Sequence, residues 1–240
     1  MKNTVKTMAL AFSLLFLSCQ EKKEKEIIKG KKTTIERKQP KEVAYTFQKS
    51  ADWLKTEGSN SNAMDIVLAL NRVDLANLKK LDSIVVPTDA SGDLAFYMPF
   101  PLEVSTLDEV KKAILFSYTT QTFATYEYGT LRQVGPTSMG SKIHKTPTGL
   151  FFTNWKAEET NSTFNDEWLL KWNFNIENEL GVGFHEYELP GYPASHSCLR
   201  LLEKDAKILY EFADQWELAD ANTVKLKGTP VIVFGSYDFE

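Results

Sequence analysis

The stretch His185 to Arg200, HEYELPGYPASHSCLR, holds two of the chain's three histidines and one of its two cysteines. A cysteine attacks as the thiolate, and at an ordinary pKa of ~8.5 only a few per cent is ionised at neutral pH, so a neighbouring imidazole is the usual activator. Cys198 has two candidates, His185 and His196. His196 is two residues away, on the same side of an extended chain, and its ring has to fold back to reach the sulfur. The path Leu189-Pro190-Gly191-Tyr192-Pro193 can instead reverse the chain and return the strand of His185 to Cys198. The sequence therefore assigns Cys198 as nucleophile and His185 as its base.

With a histidine upstream, Ser195-His196-Ser197-Cys198-Leu199-Arg200 resembles the active-site signature of the L,D-transpeptidase catalytic domain family. That signature runs Ser or Thr, His, Gly, Cys, an apolar residue, then Arg or Asn. Ser197 stands where the family has glycine, Glu186 where a small residue is common, and nine residues between His185 and Ser195 make a short spacing. The serine bears on the backbone, because glycine reaches positive φ at little cost and serine does not. Ile114 to Gln121, Gly129, Ser138-Met139-Gly140 and Thr146-Pro147-Thr148-Gly149-Leu150-Phe151 resemble the opening of the same domain, so the likeness covers residues 110–235.

The resemblance implies that Cys198 attacks a peptidoglycan stem peptide after its third residue, expels the terminal D-amino acid, and passes the acyl group to an amine. It implies that His185 takes the thiol proton and returns a proton to the leaving amine, with the Glu186 carbonyl orienting its ring. The amides near Ser197 and Cys198 would hold the oxyanion. Ser195, His196 and Arg200 would hold the loop and the substrate carboxylate. No cofactor is implied. The alternatives are hydrolysis of the same bond by an L,D-carboxypeptidase or endopeptidase, or a wall-binding lipoprotein without catalysis.

Two other chemistries fail on pattern. Three histidines and Cys198 lack metal-ligand spacing such as Cys-x-x-Cys or His-x-x-x-His, so no metal is expected. Ser195 and Ser197 lack a Gly-x-Ser-x-Gly elbow. His144, in Lys-Ile-His-Lys, reads as a solvated histidine. Of the aromatic residues Trp155, Trp168, Trp172, Phe174, Tyr187 and Tyr192, the last two flank the turn and are expected to line the entrance.

The elements that must position this site are mainly β. Ala113 to Ser117, Thr122 to Tyr126, Leu131 to Pro136 and Val231 to Phe234 are rich in β-branched and aromatic residues. Leu202, Ala206, Leu209, Phe212, Ala213 and Trp216 recur at helical spacing, as one amphipathic helix behind the site. The expected fold is a mainly β catalytic domain over 110–240, an L,D-transpeptidase-like β-sandwich with a packed helix, preceded by a small α+β module.

That module spans residues 43–89: strands at Val43 to Phe47 and Ser83 to Val86, with helical stripes Ile66, Val67, Leu70 and Leu75, Leu78, Leu81 between them, the second capped by Asp74. It resembles a lysin-motif domain, which implies binding to glycan strands. Residues 90–109 read as a linker, and the module is expected to be dispensable for the chemistry. Ahead of it, residues 20–42 form a mixed-charge run with almost nothing to bury, expected to be a disordered tether. Residues 1–19 read as a signal peptide: Lys2 and Lys6, an apolar run from Met8 to Leu17 too short to span a bilayer, then Cys19 in a lipoprotein-type box. The protein is thus expected to be exported to the cell envelope and held at the membrane by a lipid on Cys19. With 42% hydrophobic residues, 240 residues suffice for one substantial core and a small module. A net charge of −4 gives no electrostatic footprint for nucleic acid.

Overall fold

The computed structural model describes residues 33–162 and 169–239. The leader, Cys19, the first part of the tether and Trp168 lie outside the described residues.

The N-terminal module runs β1 (Tyr45–Lys49), α1 (Ser50–Glu57), α2 (Ser61–Asn71), α3 (Leu75–Leu78) and β2 (Ser83–Pro87), with β1 and β2 antiparallel. Asn60 caps α2 by accepting from the Ala63 amide, and Asp74 caps α3 by accepting from that of Asn77. Arg72, at φ 59, turns the chain out of α2 in the left-handed conformation that ends many helices. Trp53, Val67, Leu68, Val73, Leu78, Ile84 and Val86 bury the core that a two-stranded sheet cannot supply by itself.

The tether corrects an expectation at its end. From Arg37 the chain is tied down: Arg37 Nη2 donates to Leu131 O at 2.7 Å, and the Lys38 and Lys41 amides donate to Asp93 and Asp89 carboxylates at 3.2 and 2.8 Å. Composition predicts solvation here because it cannot see carboxylates brought from distant loops.

The remaining strands are β3 (Ala113–Ser117), β4 (Thr122–Glu127), β5 (Thr130–Pro136), β6 (Gly149–Phe152), β7 (Lys156–Asn161), β8 (Leu169–Glu177), β9 (Val182–Glu186) and β10 (Leu199–Leu201). After them come α4 (Glu203–Phe212), β11 (Glu217–Asp220), β12 (Thr223–Leu226) and β13 (Pro230–Phe234). One sheet has the order β5-β4-β3-β13-β6 and another β10-β9-β8-β7, while β11 and β12 form a separate ribbon. Ile114, Phe116, Phe123, Val231 and Val233 from the first meet Phe174, Ile176, Val182, Phe184, Leu199 and Leu201 from the second in one core, closed by Ala206 and Leu209 of α4. The fold is mainly β with a packed helix.

Three details depart from the sequence pattern. β13, the last strand in the chain, lies inside its sheet, parallel to β3 and antiparallel to β6, a place that its composition does not announce. α4 stops at Phe212, short of Trp216, because Asp214 and Thr229 exchange hydrogen bonds that pull the chain away from the helix axis. The ribbon of β11 and β12 is exposed along its length and so has no buried face to announce it.

The second face of the five-stranded sheet is also covered. Ala124, Tyr126, Leu131 and Val134 bury against Ala95, Met98 and Phe100 of the linker and Ala69 of α2. Linker, module and sheet therefore share apolar surface.

Candidate active site

β9 and β10 pair in parallel, Leu199 beside Phe184 and Arg200 beside His185. The expected turn therefore does not make a hairpin. Residues 187–198 form a crossover instead, as parallel neighbours require. Because side chains alternate, Phe184, Leu199 and Leu201 enter the core, and His185, Cys198 and Arg200 face the other way. There they line a cavity of about 480 Å³, joined by Asn173 and Asn175 of β8.

His185 is only 3% exposed, and its Nδ1 lies 2.8 Å from Glu186 O. A carbonyl can only accept, so Nδ1 carries the proton and Nε2 keeps a lone pair. Burial pushes the imidazole down to about 4 against the weaker opposing effect of that hydrogen bond, so the ring is neutral at neutral pH. Burial pushes the Cys198 thiol up, with the Gly183 amide and the Arg200 charge opposing. Cys198 Sγ lies 3.8 Å from Gly181 O, to which the thiol donates.

The loop carrying the cysteine is held from several directions. The Ser195 amide donates to Met139 O at 3.0 Å, and its hydroxyl donates to Cys198 O at 2.6 Å. Ser197 sits at φ 78, the left-handed conformation that glycine enters at little cost and serine does not, and its hydroxyl donates to His196 O. Thr146 Oγ1 donates to Ser197 O at 2.9 Å and accepts from the Gly140 amide at 2.8 Å. Ser138 Oγ donates to Tyr192 O at 2.7 Å and accepts from the Ala194 amide at 3.2 Å. Sequence reasoning gave Thr146 and Ser138 no role, since isolated hydroxyl residues carry no spacing signal; their partners are 51 and 54 residues away.

His196 and His144 stand edge to face, with ring centroids 4.5 Å apart, and both line the cavity. His144 is thus a site residue rather than a solvated one, brought in by the loop before β6. Desolvation first, then His144 and Arg200, lower the His196 pKa. Arg200 places its guanidinium 4.4 Å over the Tyr187 ring, and burial lowers its pKa. Tyr187 lines the cavity, but Tyr192 is 57% exposed outside it, and Trp155 occupies the lining instead. The turn exposes the Tyr192 ring because its backbone is tied inward to Ser138. Glu186 contributes its carbonyl, not its side chain, to the site. Among the described residues the lining includes Lys145 and Arg200 but no Asp or Glu side chain, and no group of three metal-ligating residues converges anywhere.

An L,D-transpeptidase from Stackebrandtia nassauensis is similar, at 25% identity over 53% of this chain and 57% of that chain, with a TM-score of 0.43. One from Mycobacterium tuberculosis H37Rv is 20% identical over 52% and 58% of the two chains, with a TM-score of 0.42. This chain thus spans less than two thirds of those structures. No curated protein matches it. The family described as YkuD, L,D-transpeptidase catalytic domain, matches residues 111–233. Since that span runs from β3 into β13 and contains every cavity residue named above, the chain belongs to the L,D-transpeptidase catalytic domain family.

Proposed function

We propose that the chain is a peptidoglycan L,D-transpeptidase that forms an acyl-enzyme on Cys198 and transfers a stem peptide to an amine. The observation that carries this reading is the shared open face of β9 and β10, which puts an anchored neutral imidazole and a thiol in one cavity. A raised thiol pKa and a lowered imidazole pKa leave the proton on sulfur at rest. Proton transfer to His185 Nε2 then accompanies attack: the S–C bond forms, the carbonyl oxygen takes the electron pair, and the imidazolium delivers its proton to the departing amine. Amides of the loop at Ser197 and Cys198 hold the oxyanion, an effect worth ~3 to 4 kcal/mol where one such donor has been removed from a hydrolase. Arg200 and Lys145, with no carboxylate among the described lining residues, favour a donor that carries free carboxylates.

The same proposal extends to the rest of the chain: export, lipidation at Cys19, and glycan contact through residues 43–89. Purified tetrapeptide stems, incubated with the full chain and resolved by mass, test the reaction. Cross-linked dimer is the expected product. Tripeptide alone would assign the acceptor as water, and unchanged substrate would overturn catalysis.

A further inference from the structure

We infer that the N-terminal module belongs to the catalytic apparatus, and that Asp74 is a positioning residue which, by holding Leu189, sets the place of His185 relative to Cys198. This rests on the cysteine chemistry proposed above and reverses the expectation that the module is dispensable.

Residues 187–198 join the base strand to the nucleophile strand, so their course fixes how β9 ends and where the cysteine loop begins. The C-terminal part is tied within the catalytic fold, at Tyr192 and Ala194 by Ser138 and at Ser195 by Met139. Tyr187 is tied at the other end, its amide donating to Leu201 O at 3.1 Å. Between them, the backbone hydrogen bonds of Leu189 go to the module. Its amide donates to Asp74 Oδ2 at 2.8 Å, and its carbonyl accepts from the Asp74 amide at 3.1 Å and Asn77 Nδ2 at 3.2 Å. Val73 and Pro190 form an antiparallel bridge next to these, and the Leu189 side chain is fully buried.

A domain contact made for docking alone would spread over exposed side chains. This one places a carboxylate on a backbone amide four residues after His185, a charge-assisted bond to main chain. The carboxylate is held in turn: Oδ1 caps α3 at the Asn77 amide, 2.7 Å, and Oδ2 accepts from Asn77 Nδ2 at 2.9 Å. The module is itself fixed to the catalytic fold, Arg72 Nε donating to Thr120 O at 2.6 Å and Asp65 pairing with Lys204. Glu186 O, the acceptor that orients the His185 ring, lies three residues before Leu189, so slack at Leu189 reaches the base directly.

The test uses the full chain, with a carbapenem as acylating probe and intact mass to follow the adduct at Cys198. Asp74→Asn keeps the volume and a side-chain oxygen to cap α3, but sets an amide group against the Leu189 donor. We expect acylation at saturating probe to slow about tenfold or more, the scale of a small misplacement of reacting groups. The probe concentration for half-maximal rate should change far less, a split that loss of folded protein does not produce. Lys55→Ala, which breaks an exposed ion pair with Asp52 inside α1, should acylate within twofold of wild type. Asn77→Ala, which removes the side-chain donor to Leu189 O and to Asp74 Oδ2 but leaves the Asp74 carboxylate on the Leu189 amide, should slow the reaction about threefold, and serves if Asp74→Asn does not fold. Asp74→Asn or, in that case, Asn77→Ala reacting at the wild-type rate, or slowed only in proportion to its unfolded fraction, overturns the inference while leaving the cysteine chemistry intact. A wild-type Cys198 that forms no adduct overturns the chemistry first, and the inference with it.

Discussion

The two sheets treat their second faces differently. β4 is buried on both sides, Phe123 entering the central core and Ala124 and Tyr126 meeting the linker and α2. β9 and β10 bury only one side; the other presents His185, Cys198 and Arg200 to a cavity. A fully covered strand contributes rigidity and has no room for a reactant. A half-covered one can hold a polar group that is desolvated yet reachable, which is how the same burial that stabilises Phe184 keeps the neighbouring His185 imidazole neutral. The chain spends its linker and module on covering one sheet, and the other is left open for chemistry.

Substitutions at the open face test that contrast most severely. Cys198→Ala should abolish covalent adduct formation with a carbapenem, read by intact mass. His185→Ala should slow it by a factor on the order of 100 to 10,000, the span of general acid-base assistance, when the rate is referred to the folded fraction of the protein. The two should be strongly non-additive, because thiol and base act as a unit. An adduct formed at full speed by His185→Ala would show that the open face does not work as described.

At the covered face the effect should be reversed in kind. Tyr126 is 1% exposed and donates to Pro101 O at 2.8 Å, so Tyr126→Ala leaves a cavity and an unpaired carbonyl. A loss of about 3 to 5 kcal/mol in denaturant unfolding is expected, by analogy with large aromatic truncations. The protein that remains folded should still acylate.

Ser197→Gly is a smaller change. Left-handed backbone costs a non-glycine residue about 1 to 2 kcal/mol, while glycine gives back ~0.4 to 1 through the freedom of the unfolded chain. A net gain of roughly 0 to 1.6 kcal/mol is therefore expected in stability, with acylation kept within about tenfold, ~1.4 kcal/mol in the barrier. A large rise in rate would mean instead that the natural loop is damaged by serine.

The smallest effect concerns Asp205 of α4, a carboxyl 1% exposed with one hydrogen bond, from Gln133 Nε2 at 3.1 Å. Burial raises its pKa from 3.8 to about 7, with Lys204 and Gln133 opposing and Asp65 adding to the rise. The unfolded chain ionises this group first, so its contribution to stability is present below about 3.8 and is lost as pH rises through about 7. Asp205→Asn, which cannot ionise, should raise the melting temperature more at pH 8 than at pH 5. His185 works in the opposite sense: its folded pKa is depressed, so its contribution is present above 6.5 and is lost as pH falls through about 4. Equal shifts at both pH values would remove Asp205 from this account.

The residues of this chain were legible wherever type and local spacing carry the information. Cys198 and His185 stand out because few groups can be nucleophile and base, and the β-branched and aromatic content of Ala113 to Ser117 and Thr122 to Tyr126 marks β3 and β4, strands buried along almost their whole length. Asp74 was legible as a helix cap for the same local reason. Its second role was not: Leu189 is 115 residues away, and no local pattern says that a capping carboxylate also receives a distant amide. The parallel pairing of β9 with β10, the interior place of β13 and the move of Tyr192 out of the cavity were decided the same way. Each depends on which strand edge and which buried donor lie nearby in space. Local sequence determined the reactive groups and the strands that carry them, because residue type and strand composition are local properties. Only tertiary structure decided their neighbours, because buried hydrogen bonds are satisfied by proximity and not by order along the chain.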